Sequence, residues 1–189
     1  MKKIAVFASG HGTNFEAIDD NIKKGYLDAS IELLVVDQKK AEVIDKAKKR
    51  GVETLVLSPK DFSSKKEYEE CILERLKEKD VEWIVLAGYM RIVTNVLLDA
   101  YPNRIINIHP SLLPDFRGLD AIGQAYRAKA ERMGVSIHYI DSGLDTGSLI
   151  AQEGFDVDPK WTIDECEERI HAIEHRLYTE TLKKLWEEE

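Results

Sequence analysis

Short apolar runs alternate with helical patterns along the first 109 residues, and this alternation constrains the fold more than any other feature. A strand followed by a helix and a further strand favours parallel pairing, because the helix carries the chain back along the sheet. The apolar runs predict strands at residues 3–8, 31–36, 52–57, 83–87 and 104–109. Apolar positions three to four residues apart predict helices at residues 14–24, 41–50 and 64–79. The first half is therefore predicted to be Rossmann-like.

The pattern changes after residue 110. A helix at 121–132 is followed by strands at 135–140 and 148–157, and a last helix covers 162–186. The turn between the last two strands is short and rich in Asp and Gly, which favours an antiparallel pair. The predicted fold class is α/β, with a single doubly wound, mostly parallel sheet and antiparallel strands near the C-terminus. No linker or repeat interrupts the pattern, so residues 1–189 are expected to form a single domain.

The composition of the chain disfavours two classes of partner, nucleic acids and membranes. The formal net charge is −8, which opposes the phosphate contacts on which nucleic-acid binding depends. There is no apolar stretch of about 18 or more residues, so no membrane partner is expected. The first residues lack the features of a signal peptide, and Cys71 and Cys166 lie at apolar helical positions. The sequence therefore predicts a cytoplasmic protein with free thiols, and its charge still allows a small anionic substrate.

The end of the fifth predicted strand carries an unusual pair of polar side chains. Asn107 and His109 are two residues apart, so both lie on one face of the strand. Carboxyl ends of strands are where open α/β sheets hold ligands. A neutral donor beside an imidazole is suited to stabilising an oxyanion and to moving a proton. The competing interpretation is a packed histidine in a turn, with Asn107 as a turn former.

A glycine-containing turn, residues 9–14, follows the first predicted strand. Glycines let the backbone approach a ligand, and the helix after the turn offers unpaired N–H groups to a phosphate. Phe15 occupies the third glycine position of the dinucleotide fingerprint, so a monophosphate is favoured over a dinucleotide. The alternative is a plain tight turn in which Thr13 or Asn14 caps the helix.

Two further loops contain candidate site residues. After the fourth strand, Tyr89, Met90, Ile92 and Val93 could line an apolar pocket for a flat ring, with Arg91 near a carboxylate. For Tyr89, packing against the core is an equal alternative. In the turn at 141–147, Asp145 could orient an imidazole and stabilise its charged form, although such turns need no function. The other histidines show no metal-ligand spacing; they are His11, His138, His171 and His175.

Several of these motifs, in this order, resemble the glycinamide ribonucleotide formyltransferase family. The most specific is Asn107-x-His109 with the loop Ser111-Leu112-Leu113-Pro114. The others are residues 9–14, 87–92, 118–125 and 144–147. The resemblance implies formyl transfer from 10-formyltetrahydrofolate to the amine of 5'-phosphoribosylglycinamide in purine synthesis, with no metal.

The resemblance also implies roles for individual residues. The expected catalytic residues are Asn107, His109 and Asp145. The expected ribonucleotide-binding residues are Gly12, Thr13 and Asn14 for the phosphoribosyl group, and Glu174 for the ribose hydroxyls. The expected folate-binding residues are Lys65, Met90, Arg91, Ile92, Val93 and Asn107, with the backbone of residues 141–145.

The chain differs from the family pattern at positions that bear on binding. Asp37-Gln38 stands where family members commonly have Ser-Asn, and the segment after it is slightly short. Lys65 stands where an arginine is frequent, and lysine makes a weaker, non-bidentate contact with a carboxylate. Ser148 replaces a usual proline, with no expected effect. These differences bear on affinity rather than on the chemistry.

Alternatives to the transferase remain open at this point. A formyltetrahydrofolate hydrolase or a relative of methionyl-tRNA formyltransferase would share the Asn107 and His109 block. A non-catalytic nucleotide-binding protein would use the glycine turn and leave that pair unexplained. The sequence leaves the choice between monomer and homodimer open.

Overall fold

A computed structural model describes all 189 residues. In chain order the elements are β1 (Lys2–Ala8), α1 (Thr13–Lys23), β2 (Ala29–Val36), α2 (Glu42–Arg50), β3 (Thr54–Val56), a 3-10 turn (Pro59–Asp61), α3 (Lys65–Glu78), β4 (Trp83–Leu86), α4 (Asn95–Ala100), β5 (Ile105–His109), α5 (Ala121–Arg127), β6 (Arg132–Tyr139), β7 (Leu149–Asp156) and α6 (Ile163–Glu187). The strands form one sheet in the order β3-β2-β1-β4-β5-β6-β7. The predicted α/β class is confirmed.

The chain divides into two compact units, residues 1–106 and 107–189. In the first unit β1 pairs in parallel with β2 and β4, and β2 pairs in parallel with β3. The register aligns Ala8 with Val36 and Phe7 with Leu86, so three strands end at the same edge of the sheet. The turns that follow β1, β2 and β4 therefore lie near one another, as expected for parallel strands.

The core of the first unit lies on both faces of β1. Residues 4–8 of this strand are fully buried, because it has a neighbouring strand on each side and helices over the sheet. Helix α1 buries Phe15 and Ile18, and α3 buries Tyr68, Ile72 and Leu76 at intervals of four residues. That spacing produces one apolar stripe on a helix.

The second unit is built on an antiparallel pair and a long helix. Strands β6 and β7 pair antiparallel, which confirms the predicted arrangement, and Gly134 faces Gly154 across the pair. The Leu112 side chain fills the space above these glycines, where a Cβ on Gly134 would collide with it. Helix α6 begins with a capping box formed by Thr162 and Glu165, which satisfies two backbone N–H groups.

The structure corrects several predicted boundaries. Helix α5 ends at Arg127 rather than near residue 132, since Lys129 adopts a left-handed φ of 51° and Arg132 already pairs with Asp156 in the sheet. Strand β3 is shorter than predicted, and the short helix α4 was not predicted. Cys71 and Cys166 are free thiols, as expected, and only Cys166 is fully buried. None of the helices combines the length and apolar character that crossing a bilayer requires.

Candidate active site

The three catalytic candidates lie together in the second unit. Strand β5 ends at His109, whose side chain is 7% exposed. Its Nε2 donates a hydrogen bond to the Phe116 carbonyl oxygen at 2.9 Å, and its Nδ1 lies 3.4 Å from Oδ2 of Asp145. Both ring nitrogens therefore face hydrogen-bond acceptors, and these two contacts fix the orientation of the ring.

Asp145 lies in the turn between β6 and β7 and adopts a left-handed φ of 52°. Its Oδ2 accepts a hydrogen bond from the Gly118 backbone N–H at 2.9 Å, and its Oδ1 lies 3.6 Å from Nε2 of His138. The Asp145 carboxylate thus lies between the imidazoles of His109 and His138. The turn that carries Asp145 and the Gly118 N–H fix its position. The sequence could not place Asp145 beside His109, and the structure does.

His138 also belongs to this cluster, although it was not among the predicted site residues. It is fully buried on β6, and its Nδ1 donates to the Tyr139 carbonyl oxygen at 2.9 Å. Its Nε2 then accepts a hydrogen bond from Nδ2 of Asn107 at 3.2 Å. Burial lowers the pKa of His138, more than the Tyr139 and Asp145 contacts raise it, so the ring stays neutral and able to accept.

The contact with His138 fixes the orientation of the Asn107 amide. Only the N–H₂ end of the amide can donate to Nε2 of a neutral imidazole, so one of its two N–H groups is held there. The other N–H group remains for a ligand. The sequence did contain a signal for His138, because this histidine lies near the end of a strand, just before the turn that contains Asp145. Asn107 and His109 likewise lie at the end of their strand, β5.

Polar contacts also fix the loop that supplies the Phe116 carbonyl. Ser136, fully buried on β6, accepts from the Leu113 N–H at 3.0 Å and donates to the Ser111 carbonyl oxygen at 2.6 Å. The Ser111 hydroxyl in turn donates to the Asp115 carbonyl oxygen at 2.6 Å. These bonds hold the loop in one conformation, and with it the acceptor for His109.

In the first unit, the glycine turn is shaped by Gly12. This residue has a φ of 78° and lies where an added Cβ would collide with Val43 on α2. Gly12 is the N-cap of α1 and no side chain caps the helix, so the alternative in which Thr13 or Asn14 caps it is wrong. The first backbone N–H groups of α1 are not bonded by a capping side chain, as an anion site requires. Oδ1 of Asn14 is buried without a hydrogen-bond partner.

The segment after β4, residues 87–94, is anchored at both ends. The Ser9 hydroxyl accepts from the Met90 N–H at 2.9 Å, and Glu69 accepts from the N–H and hydroxyl of Thr94. Within this segment Met90 and Ile92 are 61% and 49% exposed to solvent, while Val93 is buried. The exposed pair has the apolar character that was predicted for a ring-binding surface.

Tyr89 packs against the core, which was the alternative to lining a pocket. Its ring makes an edge-to-face contact with Phe7, with centroids 5.2 Å apart. Its hydroxyl hydrogen-bonds that of Tyr68 at 3.1 Å, and burial raises the pKa of both phenols.

Arg91 is held by an acidic residue at the end of β2. Its Nε donates to Oδ2 of Asp37 at 2.7 Å, and the Asp37 side chain is fully buried. The Asp37 hydrogen bond and charge raise the pKa of Arg91. Lys65 begins α3 and is exposed.

The remaining candidates lie on α6 and on the glycine turn. Glu174 on α6 is 7% exposed, so it does not belong to a solvated face. His11 is exposed and pairs with Glu42 at 3.0 Å, and His171 stacks on His175. No group of three or more His, Cys, Asp or Glu side chains is placed to hold a metal ion.

Comparisons with known proteins identify the family. The family described as formyl transferase matches residues 2–182, nearly the whole chain. The chain belongs to the formyl transferase family. The geometry of the Asn107, His109, His138 and Asp145 cluster is thus a feature of a formyl transferase.

Three proteins illustrate how similar this formyl transferase is to named relatives. It is 48% identical to phosphoribosylglycinamide formyltransferase of Bacillus subtilis, covering 98% of this chain and 95% of that protein. The crystal structure of glycinamide ribonucleotide transformylase 1 from Geobacillus kaustophilus is 52% identical with a TM-score of 0.95, and 98% of each chain is covered. That of phosphoribosylglycinamide formyltransferase from Bacillus halodurans is 48% identical with a TM-score of 0.95, covering 97% of this chain and 95% of that one.

Proposed function

We propose that this formyl transferase moves the formyl group of 10-formyltetrahydrofolate to the amine of 5'-phosphoribosylglycinamide, in purine biosynthesis. The observation that carries the proposal is the buried cluster of Asn107, His109 and Asp145, completed by His138. Relatives named for this reaction, about half identical over nearly the full length, support the choice of substrates.

The chemistry begins when the neutral amine attacks the formyl carbon. A C–N bond forms, negative charge builds on the formyl oxygen, and the bond from carbon to N10 of the folate then breaks. One proton leaves the attacking amine and one reaches N10, so the atoms balance without an oxidant or a metal. Donors aimed at the developing oxyanion supply most of the stabilisation in reactions of this kind.

Asn107 and His109 are the proposed donors to that oxygen. Asn107 has one amide N–H held by His138 and a second one free to donate. Nε2 of His109 donates to Phe116, while its Nδ1 lies 3.4 Å from Asp145. This separation exceeds the roughly 2.7–2.9 Å of a charge-assisted hydrogen bond, so a Nδ1 proton can be shared with the substrate. Asp145 stabilises the positive charge on His109 and helps to place a water that carries the proton from the amine to N10.

Binding of the two substrates is proposed to use the residues named from the family pattern. The backbone at Gly12, Thr13 and Asn14 would bind the phosphate, supported by the uncapped start of α1. Glu174 would bind the ribose hydroxyls. The exposed Met90 and Ile92 would contact the folate ring, together with Lys65, Arg91, Val93 and Asn107.

We further propose that residues 1–189 act as one formyltransferase domain, which is supported by a family match that spans both compact units. The proposed partners are small molecules, and the net charge of −8 disfavours nucleic acid. The protein is proposed to work in the cytoplasm, as a monomer or a homodimer.

The test is an absorbance assay of tetrahydrofolate formation with and without the ribonucleotide. Product that appears only with the ribonucleotide, together with formylated ribonucleotide by mass spectrometry, is the expected result. Product and free formate without the ribonucleotide would replace the proposal by a hydrolase. Absence of product under both conditions, with binding of the ribonucleotide retained, would support a nucleotide-binding protein instead.

A further inference from the structure

Asp37 and Arg91 form an ion pair whose carboxylate lies directly after β2. Asp37 stands where family members commonly have serine, and it follows β2 directly, so its backbone is fixed by the sheet. Its side chain is fully buried, and only Oδ2 has a hydrogen-bond partner, which is Nε of Arg91. A buried carboxylate with one cationic partner binds that partner firmly, since loss of either leaves an uncompensated charge.

The guanidinium edge that Asp37 leaves open is suited to a carboxylate. Nε is the guanidinium nitrogen that Asp37 occupies, and the structure gives Nη1 and Nη2 no hydrogen-bond partner. The Arg91 side chain is 36% exposed, so this edge reaches solvent. Two parallel N–H groups on one edge match the two oxygens of a carboxylate.

We propose that Asp37 is a positioning residue for the co-substrate: it fixes Arg91 through Nε so that Nη1 and Nη2 form a preset fork for a carboxylate of the folate glutamate. This inference rests on the proposed function, since Arg91 contacts folate only there. Asp37 itself is not proposed to touch the ligand, because its side chain is fully buried.

Two observations explain why this chain needs the fork to be preset. Arg91 lies in a segment without regular structure, between the anchors at Met90 and Thr94, so its long side chain would otherwise sample several rotamers. Ordering such a side chain on binding costs free energy that a preset conformation avoids. Lys65, where arginine is frequent in the family, offers only a point charge, which leaves Arg91 as the one guanidinium among the proposed folate contacts.

The test compares Asp37→Asn with the unaltered protein in equilibrium binding. The probes are tetrahydrofolate and tetrahydropteroate, which lacks the glutamate, titrated without oxygen in a calorimeter. We expect Asp37→Asn to weaken tetrahydrofolate binding about tenfold, or about 1.4 kcal/mol, and to leave tetrahydropteroate binding unchanged. In turnover the KM for 10-formyltetrahydrofolate should rise by a similar factor while kcat stays the same, which a general loss of structure would not produce.

Matched variants separate positioning from folding. Asp80→Asn removes the carboxylate of an exposed ion pair with Lys3 and should change neither binding constant. In an Arg91→Ala background, adding Asp37→Asn should weaken tetrahydrofolate binding no further, because the residue acts through Arg91. Arg91→Lys keeps the charge pair and removes the fork, so it should lose tetrahydrofolate affinity to a similar extent even if Asp37→Asn folds poorly by thermal unfolding.

Opposite results overturn the proposal. Tighter tetrahydrofolate binding by Asp37→Asn would mean that Asp37 competes with the ligand for Arg91. Equal losses for tetrahydrofolate and tetrahydropteroate, or no loss, would leave Asp37 with a structural role only. If the unaltered protein binds neither probe, the proposed function fails before Asp37 is in question.

Discussion

Two regions of this formyl transferase differ in how far their side chains are buried and bonded to one another. In the cluster of Asn107, His109, His138 and Asp145, every side chain is bonded to or lies beside at least one other member of the cluster, and the histidines and the carboxylate are largely buried. In the segment at 87–94, Met90 and Ile92 are exposed and the anchoring bonds come from the backbone or from single side chains. The first region fixes atoms relative to each other, and the second leaves surface to a ligand.

This difference separates two kinds of contribution to turnover. Preset donors lower the barrier because they need no reorganisation when charge develops, so their loss should appear in kcat. Groups that contact substrate and transition state alike should appear in KM. Substitutions in the two regions therefore test whether the division between chemistry and binding is real.

The largest effect is expected from the cluster. Replacing Asn107 or His109 by Ala removes a proposed donor to the oxyanion and should reduce kcat by roughly 10²–10³. The KM for the ribonucleotide should change little. Steady-state kinetics with each substrate varied in turn measures both parameters.

His171→Ala is the matched control, since His171 is an exposed histidine on α6 outside the cluster. It should retain the unaltered kcat. A His109→Ala variant with near-normal kcat would show that the buried cluster is structural and would remove the comparison altogether.

The sequence predicted the parts of this contrast that depend on local pattern. Side chains two residues apart on a strand lie on the same face, and this pattern placed Asn107 and His109 together on β5. In the structure both residues are members of the cluster. The pairing of Asp145 with His109 and the role of His138 depend on how β6 and its turn return to β5, which no local pattern encodes. The burial of Glu174 was likewise hidden, because a charged helix face looks the same whether solvent or protein covers it.

The next largest effect is expected from a substitution in the glycine turn, residues 9–14, and it concerns binding of the ribonucleotide. Gly12→Ala forces a Cβ into Val43 at a left-handed φ, so the turn and the start of α1 must move away from α2. We expect the KM for the ribonucleotide to rise by roughly tenfold or more, since strain of about 1–3 kcal/mol is typical of such overpacking. Isothermal titration with the ribonucleotide checks the binding constant directly.

Gly25→Ala provides the comparison at the other end of α1. Gly25 has nearly the same φ, 74°, but open space around the missing Cβ. It should cost some stability from backbone strain and leave ribonucleotide binding unchanged. Equal effects of the two substitutions on binding would place the phosphate elsewhere.

A smaller effect is expected at His138, as a dependence of the protein's stability on pH. Burial lowers the pKa of folded His138 below the unfolded value of about 6.5, so the unfolded chain takes up this proton first. Stability from this residue is therefore present above the unfolded pKa, and it falls as the pH drops from about 6.5 to the lower folded pKa. His138→Gln keeps an acceptor and does not titrate, so its melting temperature should fall less on acidification over that range.

In turnover, His138→Leu leaves the Asn107 amide without its partner and should lower kcat by about tenfold, the scale of one lost hydrogen bond. His138→Gln should restore part of that loss. Identical kcat values for both variants would mean that His138 does not orient Asn107, and the cluster would then reduce to its three predicted members.

The smallest effect is expected at Lys65, where the binding region departs from the family pattern. Lys65→Arg adds a planar fork at the exposed start of α3, and a bidentate carboxylate contact should lower the KM for 10-formyltetrahydrofolate by about threefold, or some 0.6 kcal/mol. No change in kcat is expected, because the residue contacts ground state and transition state alike. Lys66→Arg, on the next and equally exposed position, is the control and should have no effect. A change in kcat at Lys65 would show that binding and chemistry are coupled across the molecule, and the contrast between the two regions would no longer describe separate functions.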